Sequence, residues 1–82
     1  MSADLRKTLG LTQEAFARLL GVSFSTVNAW ERGRSAPTRD NLEVLRLLGE
    51  ALAKHPVDKV KPLLEEGAGS RARLILALAN IC

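Results

Sequence analysis

The sequence predicts an all-α fold, a bundle of four to six short helices, and three observations carry that reading. Apolar residues recur three and four positions apart, as they do along one side of a helix. Capping residues and glycines alternate in the order that starts and stops short helices. Neither strand-like alternation nor an internal repeat occurs. With 82 residues, 46% of them hydrophobic and 26% charged, the chain is ordinary globular material close to the lower limit for one self-sufficient core.

The elements follow in order. After a break at Leu9-Gly10-Leu11, Thr12 is an N-cap candidate, with Glu14 in the first turn near the positive end of the helix dipole. Phe16, Leu19 and Leu20 then recur at helical spacing up to Gly21, where a chain adopts positive φ at little cost. Ser23 is the next N-cap candidate, Val27 and Trp30 give the next apolar stripe, and Gly33 closes that segment. Past the loop Arg34-Ser35-Ala36-Pro37, Thr38 can cap a helix with Asp40 in its first turn. Leu42, Leu45, Leu48 and Leu52 read as its buried face, Glu43, Arg46 and Glu50 as its wet one, and His55-Pro56 as its end. Pro62 is expected to split or displace any helix over 57–66. Gly67-Ala68-Gly69-Ser70 reads as a flexible break, and Arg71–Ile81 as a last helix with Leu74, Ile75, Leu78 and Ile81 on one side. The organisation expected is a domain over 1–54 and a helical tail over 55–82.

Several function classes drop out on composition. One cysteine, Cys82, and one histidine, His55, allow no internal disulfide and no zinc or iron–sulfur site, so neither metal nor cofactor is expected. No Ser–His–Asp set, carboxylate pair or phosphate loop is present, and catalysis is not expected. Asp4, Arg6, Lys7, Glu14 and Arg18 interrupt the first twenty residues, so no secretory signal is read there. The longest apolar run, Leu74–Ala79, is far short of the roughly 20 residues of a membrane span. A cytoplasmic protein with no membrane partner is the expectation. The net charge of +3 is a mild basic excess, but Arg32, Arg34 and Arg39 cluster with no acid among residues 32–39, which favours a polyanion more than the total does.

The stretch 13–32 has a spacing with a geometric reason. Two helices crossing through a short turn need a small residue where their backbones approach and a glycine at the turn. Ala17 and Gly21 meet both needs. Phe16, Leu20, Val22, Val27 and Trp30 take the inward positions, while Ser23, Ser25, Thr26 and Asn28 are short, polar and outward.

The runs Thr12-Gln13-Glu14-Ala15-Phe16-Ala17-Arg18-Leu19-Leu20-Gly21-Val22-Ser23 and Thr26-Val27-Asn28-Ala29-Trp30-Glu31-Arg32-Gly33-Arg34-Ser35-Ala36-Pro37 resemble the Cro and phage-repressor (Xre) helix-turn-helix family. The resemblance covers about Leu5 to Leu52. It implies a lambda-repressor-like fold and a helix over 23–32 lying in the major groove of double-stranded DNA. It implies base reading by Phe24, Ser25, Thr26, Asn28 and Ala29. Asn28 suits the bidentate contact to adenine, with a solvated polar side chain as the plainer alternative. Phe24 either touches a thymine methyl or caps the core. Phosphate contacts fall to Gln13 at the helix start, with Thr12 and Ser23 at the two caps, and to Arg32, Arg34 and Arg39. Arg6 and Glu31 hold the positions of an ion pair that orients the reading helix. The family's first helix begins about a turn or more before Leu5, at an apolar residue. Here Met1 and Ser2 stand in its place, so that helix reads as clipped: either the start is trimmed or the core is closed another way.

A sequence-specific transcription regulator working as a homodimer is therefore expected. The alternatives are an antitoxin-type module whose tail, 71–82, binds a partner protein, and a targeting domain of a larger DNA-acting enzyme. The first two separate on whether the apolar stripe of the tail docks on the chain's own core or stays exposed for another protein, an exposed stripe being also a candidate dimer seam; a longer parent reading frame with a catalytic motif would favour the third.

Overall fold

Six helices account for most of residues 2–82, which the computed structural model describes: α1 (Ser2–Thr8), α2 (Gln13–Leu20), α3 (Phe24–Glu31), α4 (Arg39–Lys54), α5 (Val57–Glu66) and α6 (Arg71–Ala79). Among the described residues there is no strand, and no helix is long and apolar enough to cross a membrane.

Local chemistry explains the first boundaries. The Thr12 side chain accepts from Ala15 N–H at 3.1 Å, and Ser23 Oγ accepts from Thr26 N–H at 3.2 Å. Each satisfies one donor that a helix start leaves orphaned. Gly21 stops α2 with φ +74°, and its N–H and that of Val22 return to the last turn. Replacing Thr12 by Ala, which removes one cap bond and no buried surface, is expected to cost about 1 kcal/mol. A urea melt that did not move would show the bond to be redundant with water.

The core is one continuous cluster. Phe16, Leu19 and Leu20 of α2, Val27 of α3, Val44, Leu45 and Leu48 of α4, Val60 and Leu64 of α5, and Leu74 and Leu78 of α6 are all essentially inaccessible. The tail stripe is thus absorbed by the chain itself, with Ile75 and Ile81 packed against its edge. The α6 helix packs on α4 and α5, while α1 packs on α3 and α4. The C-terminal helices add their apolar cover on α4, while the pocket beside Ser2 is lined by Trp30, Pro37, Leu42 and Leu45. Ser2 begins α1 and is itself buried; Met1, the other residue read as clipping that helix, lies outside the described residues.

Four expectations need correction. Leu42 is 47% exposed rather than buried. The inward face of α4 instead runs through Asn41, Val44, Leu45, Leu47, Leu48 and Ala51, one residue step around the helix from the leucine stripe. Thr38 occupies the N-cap of α4 but makes no capping bond, because its Oγ1 accepts from Asn41 Nδ2 at 3.0 Å. Pro62 neither splits nor displaces α5. Pro62 and Asp58, whose carbonyl loses its donor, are both exposed, so the unmade bond is left to water rather than to the core. The segment read as a flexible break, 67–70, is a bonded turn: Gly69 N–H donates to the Leu19 carbonyl at 2.8 Å.

Candidate nucleic-acid interface

The α2–turn–α3 unit is held by an internal polar lock. Arg6 Nε donates to Glu31 Oε2 at 2.8 Å and Nη2 to Glu31 Oε1 at 2.9 Å, a two-point fork between α1 and the last residue of α3. The third arm, Nη1, donates to the Leu11 carbonyl at 2.8 Å, so one guanidinium ties α1, the α1–α2 loop and α3 together. Gln13 Nε2 adds a bond of 2.9 Å to Glu31 Oε1. Both charged side chains are largely covered, with 15% of the Arg6 and 8% of the Glu31 side chain accessible. The Arg6 bonds hold the Glu31 carboxyl below its usual range, against the opposing pull of burial; the Gln13 bond and the charges of Arg6 and Lys7 add to the effect. The Arg6 guanidinium is correspondingly pushed up by its bonds to Glu31.

The outward side of α3 carries little bulk. Ser23 and Ser25 are exposed, Thr26, Asn28 and Ala29 are half-buried, and Val27 beneath them is fully enclosed. Phe24 is 48% exposed and stands outside the core rather than closing it. The three hydroxyls form a small network: Ser23 Oγ lies 3.0 Å from Ser25 Oγ and 2.8 Å from Thr26 Oγ1. The result is a shallow polar surface on a rigid base.

Cations flank that surface. Arg32, Arg34 and Arg39 are exposed. Gly33, at φ +72°, lets the chain reverse so that Arg34 N–H donates to the Ala29 carbonyl at 2.9 Å. The Arg34 backbone is therefore fixed to the end of α3 instead of trailing in a loop. An exposed positive rim around a polar helix face is suited to a duplex, whose phosphates bracket a groove of base edges.

The structure brings Ser23, Thr26 and Arg39 together along one groove and ties the Arg34 backbone to the end of α3, while Thr12 caps the start of α2. It places Gln13 partly elsewhere, since its amide nitrogen is already committed to Glu31. Sequence reasoning missed the hydroxyl network, for which the Ser-x-Ser-Thr run was an available signal, and missed Arg71, which lines an open groove with Ser23, Thr26, Thr38 and Arg39. His55 closes α4 with its N–H on the Ala51 carbonyl, while its ring Nε2 meets the Ile81 carbonyl at 2.8 Å, linking α4 to the end of the tail.

Comparison with known proteins agrees with this geometry. A helix-turn-helix family model matches residues 3–55. The chain is 38% identical over 63 residues to an uncharacterized HTH-type transcriptional regulator of Methanothermobacter thermautotrophicus, covering 77% of this chain and 87% of the relative. It is 46% identical over 45 residues to the uncharacterized HTH-type transcriptional regulator YiaG of Escherichia coli, covering 55% of this chain and 47% of that one. A third relative, antitoxin PezA of Streptococcus pneumoniae, is 30% identical over 86 residues, covering 87% of this chain and 54% of the relative. The chain thus spans about half the length of the last two. No solved structure matches it significantly.

Proposed function

The chain belongs to the Cro and phage-repressor (Xre) helix-turn-helix family, and from that premise we propose that it is a sequence-specific transcription regulator that lays α3 in the major groove of DNA as a homodimer. The family is one of DNA-binding regulators rather than an enzyme class. The observation that carries the reading is the pairing of a shallow polar α3 surface with a guanidinium lock behind it. A helix that reads bases must hold its angle to within a fraction of a hydrogen bond, and a rigid support behind short side chains does that.

Roles divide by chemistry. Asn28 offers the amide that matches adenine, and Phe24 and Ala29 offer apolar contact to thymine methyl groups. Ser25 and Thr26 present hydroxyls that both donate and accept. Thr12, Gln13, Ser23, Arg32, Arg34 and Arg39 grip the sugar-phosphate backbone. One α3 spans few base pairs, so a two-fold dimer on half-sites about 34–36 Å apart supplies the discrimination a regulator needs.

The test is selection of bound sites from random duplexes, followed by two variants. Asn28→Ala is expected to relax preference at one base pair by about 1–3 kcal/mol. Arg34→Ala is expected to weaken all duplexes alike and to flatten the dependence of log K on log salt by about 0.9. A change of sequence preference with Arg34→Ala would reverse that assignment, and a protein that selects no consensus would end the reading.

A second reading, an antitoxin-type module whose tail holds a partner protein, is favoured by one observation: the alignment with antitoxin PezA covers 87% of the chain and so extends past the family match. The outer side of α6, where Leu76 is 74% exposed, would be its surface, because Leu74 and Leu78 are already spent on the core. Leu76→Glu would abolish partner capture and leave DNA affinity unchanged under that reading.

A further inference from the structure

The family match stops at residue 55, yet the end of α2 is completed by residues well beyond it. A helix leaves its last carbonyls without intrahelical donors. In α2 the Ala17 carbonyl accepts from Val22 N–H at 3.0 Å and the Arg18 carbonyl from Gly21 N–H at 3.3 Å. The next three carbonyls are served from the other end of the chain. Gly69 N–H donates to that of Leu19 at 2.8 Å. Arg71 Nη1 donates to that of Leu20 at 3.2 Å and to that of Gly21 at 3.4 Å.

The approach is close enough to exclude a side chain, since a Cβ on Gly21 would stand 2.5 Å from the Gly69 carbonyl oxygen. Two requirements therefore meet at Gly21, its positive φ and this contact. Arg71 also sits at the first position of α6, where the dipole disfavours a cation, but its guanidinium reaches back to the C-terminal carbonyls of α2, where the dipole favours one. The Gly21 carbonyl lies two residues before Ser23, the cap of α3. The clamp thus acts at the joint between the two helices.

We propose that Arg71 is a positioning residue for DNA reading: it fixes the turn from which α3 starts and so sets the angle at which Ser25 and Asn28 meet the bases. The proposal rests on the DNA-binding reading above. It makes the C-terminal helices part of the reading head. Arg71 also borders the groove that runs beside Ser23, Thr26 and Arg39, so direct contact to a DNA phosphate is the rival role, and a cap that only adds stability is the bland one. The three differ in what they move.

The experiment uses the full chain with Arg71→Met, which keeps the apolar stem, and Arg71→Lys. Three quantities are read: the thermal melt, the affinity ratio between the selected duplex and a scrambled one across a salt series, and the backbone amide shifts of residues 21–26 without DNA. Expected for Arg71→Met are displaced amide shifts over 21–26, a ratio lower by about tenfold, and an unchanged salt slope. Equal loss on both duplexes with the slope reduced by about 0.9 would make Arg71 a phosphate contact and overturn the proposal. A lowered melt with ratio and shifts intact would reduce it to a stability cap and overturn it as well. If Arg71→Met does not fold, Arg71→Lys decides: a ratio lowered at least about threefold at constant slope supports the clamp, and an intact ratio refutes it. Should the native protein not discriminate between duplexes, the DNA reading fails, and the amide shifts still judge whether the clamp exists.

Discussion

A chain ending at Ser70 is expected to lose its cooperative fold outright. Removing residues 71–82 deletes Leu74 and Leu78, both with no accessible surface, from the cluster they share with α4 and α5. Each is comparable to a buried Leu→Ala change, about 2–5 kcal/mol, before counting the cavity left by the backbone. The deletion also strips the Leu20 and Gly21 carbonyls of their Arg71 donor and the Ile81 carbonyl from His55. For a domain of 82 residues the whole stability is about 4–12 kcal/mol. The loss is of the same size. Circular dichroism of the truncated chain should show weak, non-cooperative helicity at 25 °C, whereas a sharp melt near that of the full chain would show that α6 is an accessory. Reading the tail as a dimer seam leads to a different expectation, a folded monomer. Sedimentation alone would confuse the two, because a disordered monomer also fails to dimerise. Leu78→Ala, costing about 3 kcal/mol, is the milder form of the same test.

What was legible in the sequence was local. Thr12, Ser23 and Gly21 announce themselves because a cap or a positive-φ position is decided by the residue and its next three neighbours. The Arg6–Glu31 pairing followed from the resemblance and not from any spacing rule, since the two are 25 positions apart. The α4 stripe was misread for a physical reason. That helix is covered on more than one side, by α1 as well as by α5 and α6, so apolar residues occupy a wide arc and the leucines alone do not give its centre. Asn41 lies within the arc, its amide donating to Thr38 Oγ1. A polar residue that donates to a neighbour three positions away, its Oδ1 buried without a partner, leaves no hydropathic trace. The target of Arg71, fifty-one positions earlier at Leu20, is set by tertiary packing that no local pattern encodes.

Exposed pairs add little beside these. Arg18–Glu65 at 3.1 Å links α2 to α5, but 61% and 54% of the two side chains are accessible, so water and salt screen it to a few tenths of a kcal/mol. Arg46 pairs with Glu43 and Glu50 on the wet side of α4, and the bond from Arg46 lowers the Glu43 pKa. These contacts make α4 soluble without setting its place. The contrast isolates the Arg6–Glu31 fork as the one ion pair among the described residues in which both partners are mostly covered.

Arg6→Ala is expected to destabilise the fold by about 3 kcal/mol, the low end for breaking a buried pair, because Glu31 would remain covered with only Gln13 to serve it. The Leu11 carbonyl loses its donor in the same stroke. At this size a loss of about 3 kcal/mol lowers the melting temperature by about 15 °C. Arg6→Lys should recover less than half, since an ammonium cannot reproduce the fork to two carboxylate oxygens and reach Leu11 as well. The pH dependence identifies the cause. The folded-state pKa of Glu31 is depressed, chiefly by its bonds from Arg6, so the stability it contributes is fully present above its unfolded pKa of about 4.3. That contribution is lost as pH falls through the lower folded value. Glu31→Gln removes the titrating group and most of the bond strength. The stability gap between the native protein and Glu31→Gln should therefore be constant near neutrality and narrow progressively below about pH 4.3. Other carboxylates, Glu43 among them, titrate alike in both proteins and cancel in the difference. A gap that stays constant down to pH 2 would mean that the fork holds α3 by shape alone. DNA affinity measured at pH 7 should fall with Arg6→Ala by more than the unfolded fraction explains, because the α3 end that the fork anchors, Glu31, adjoins the basic rim at Arg32.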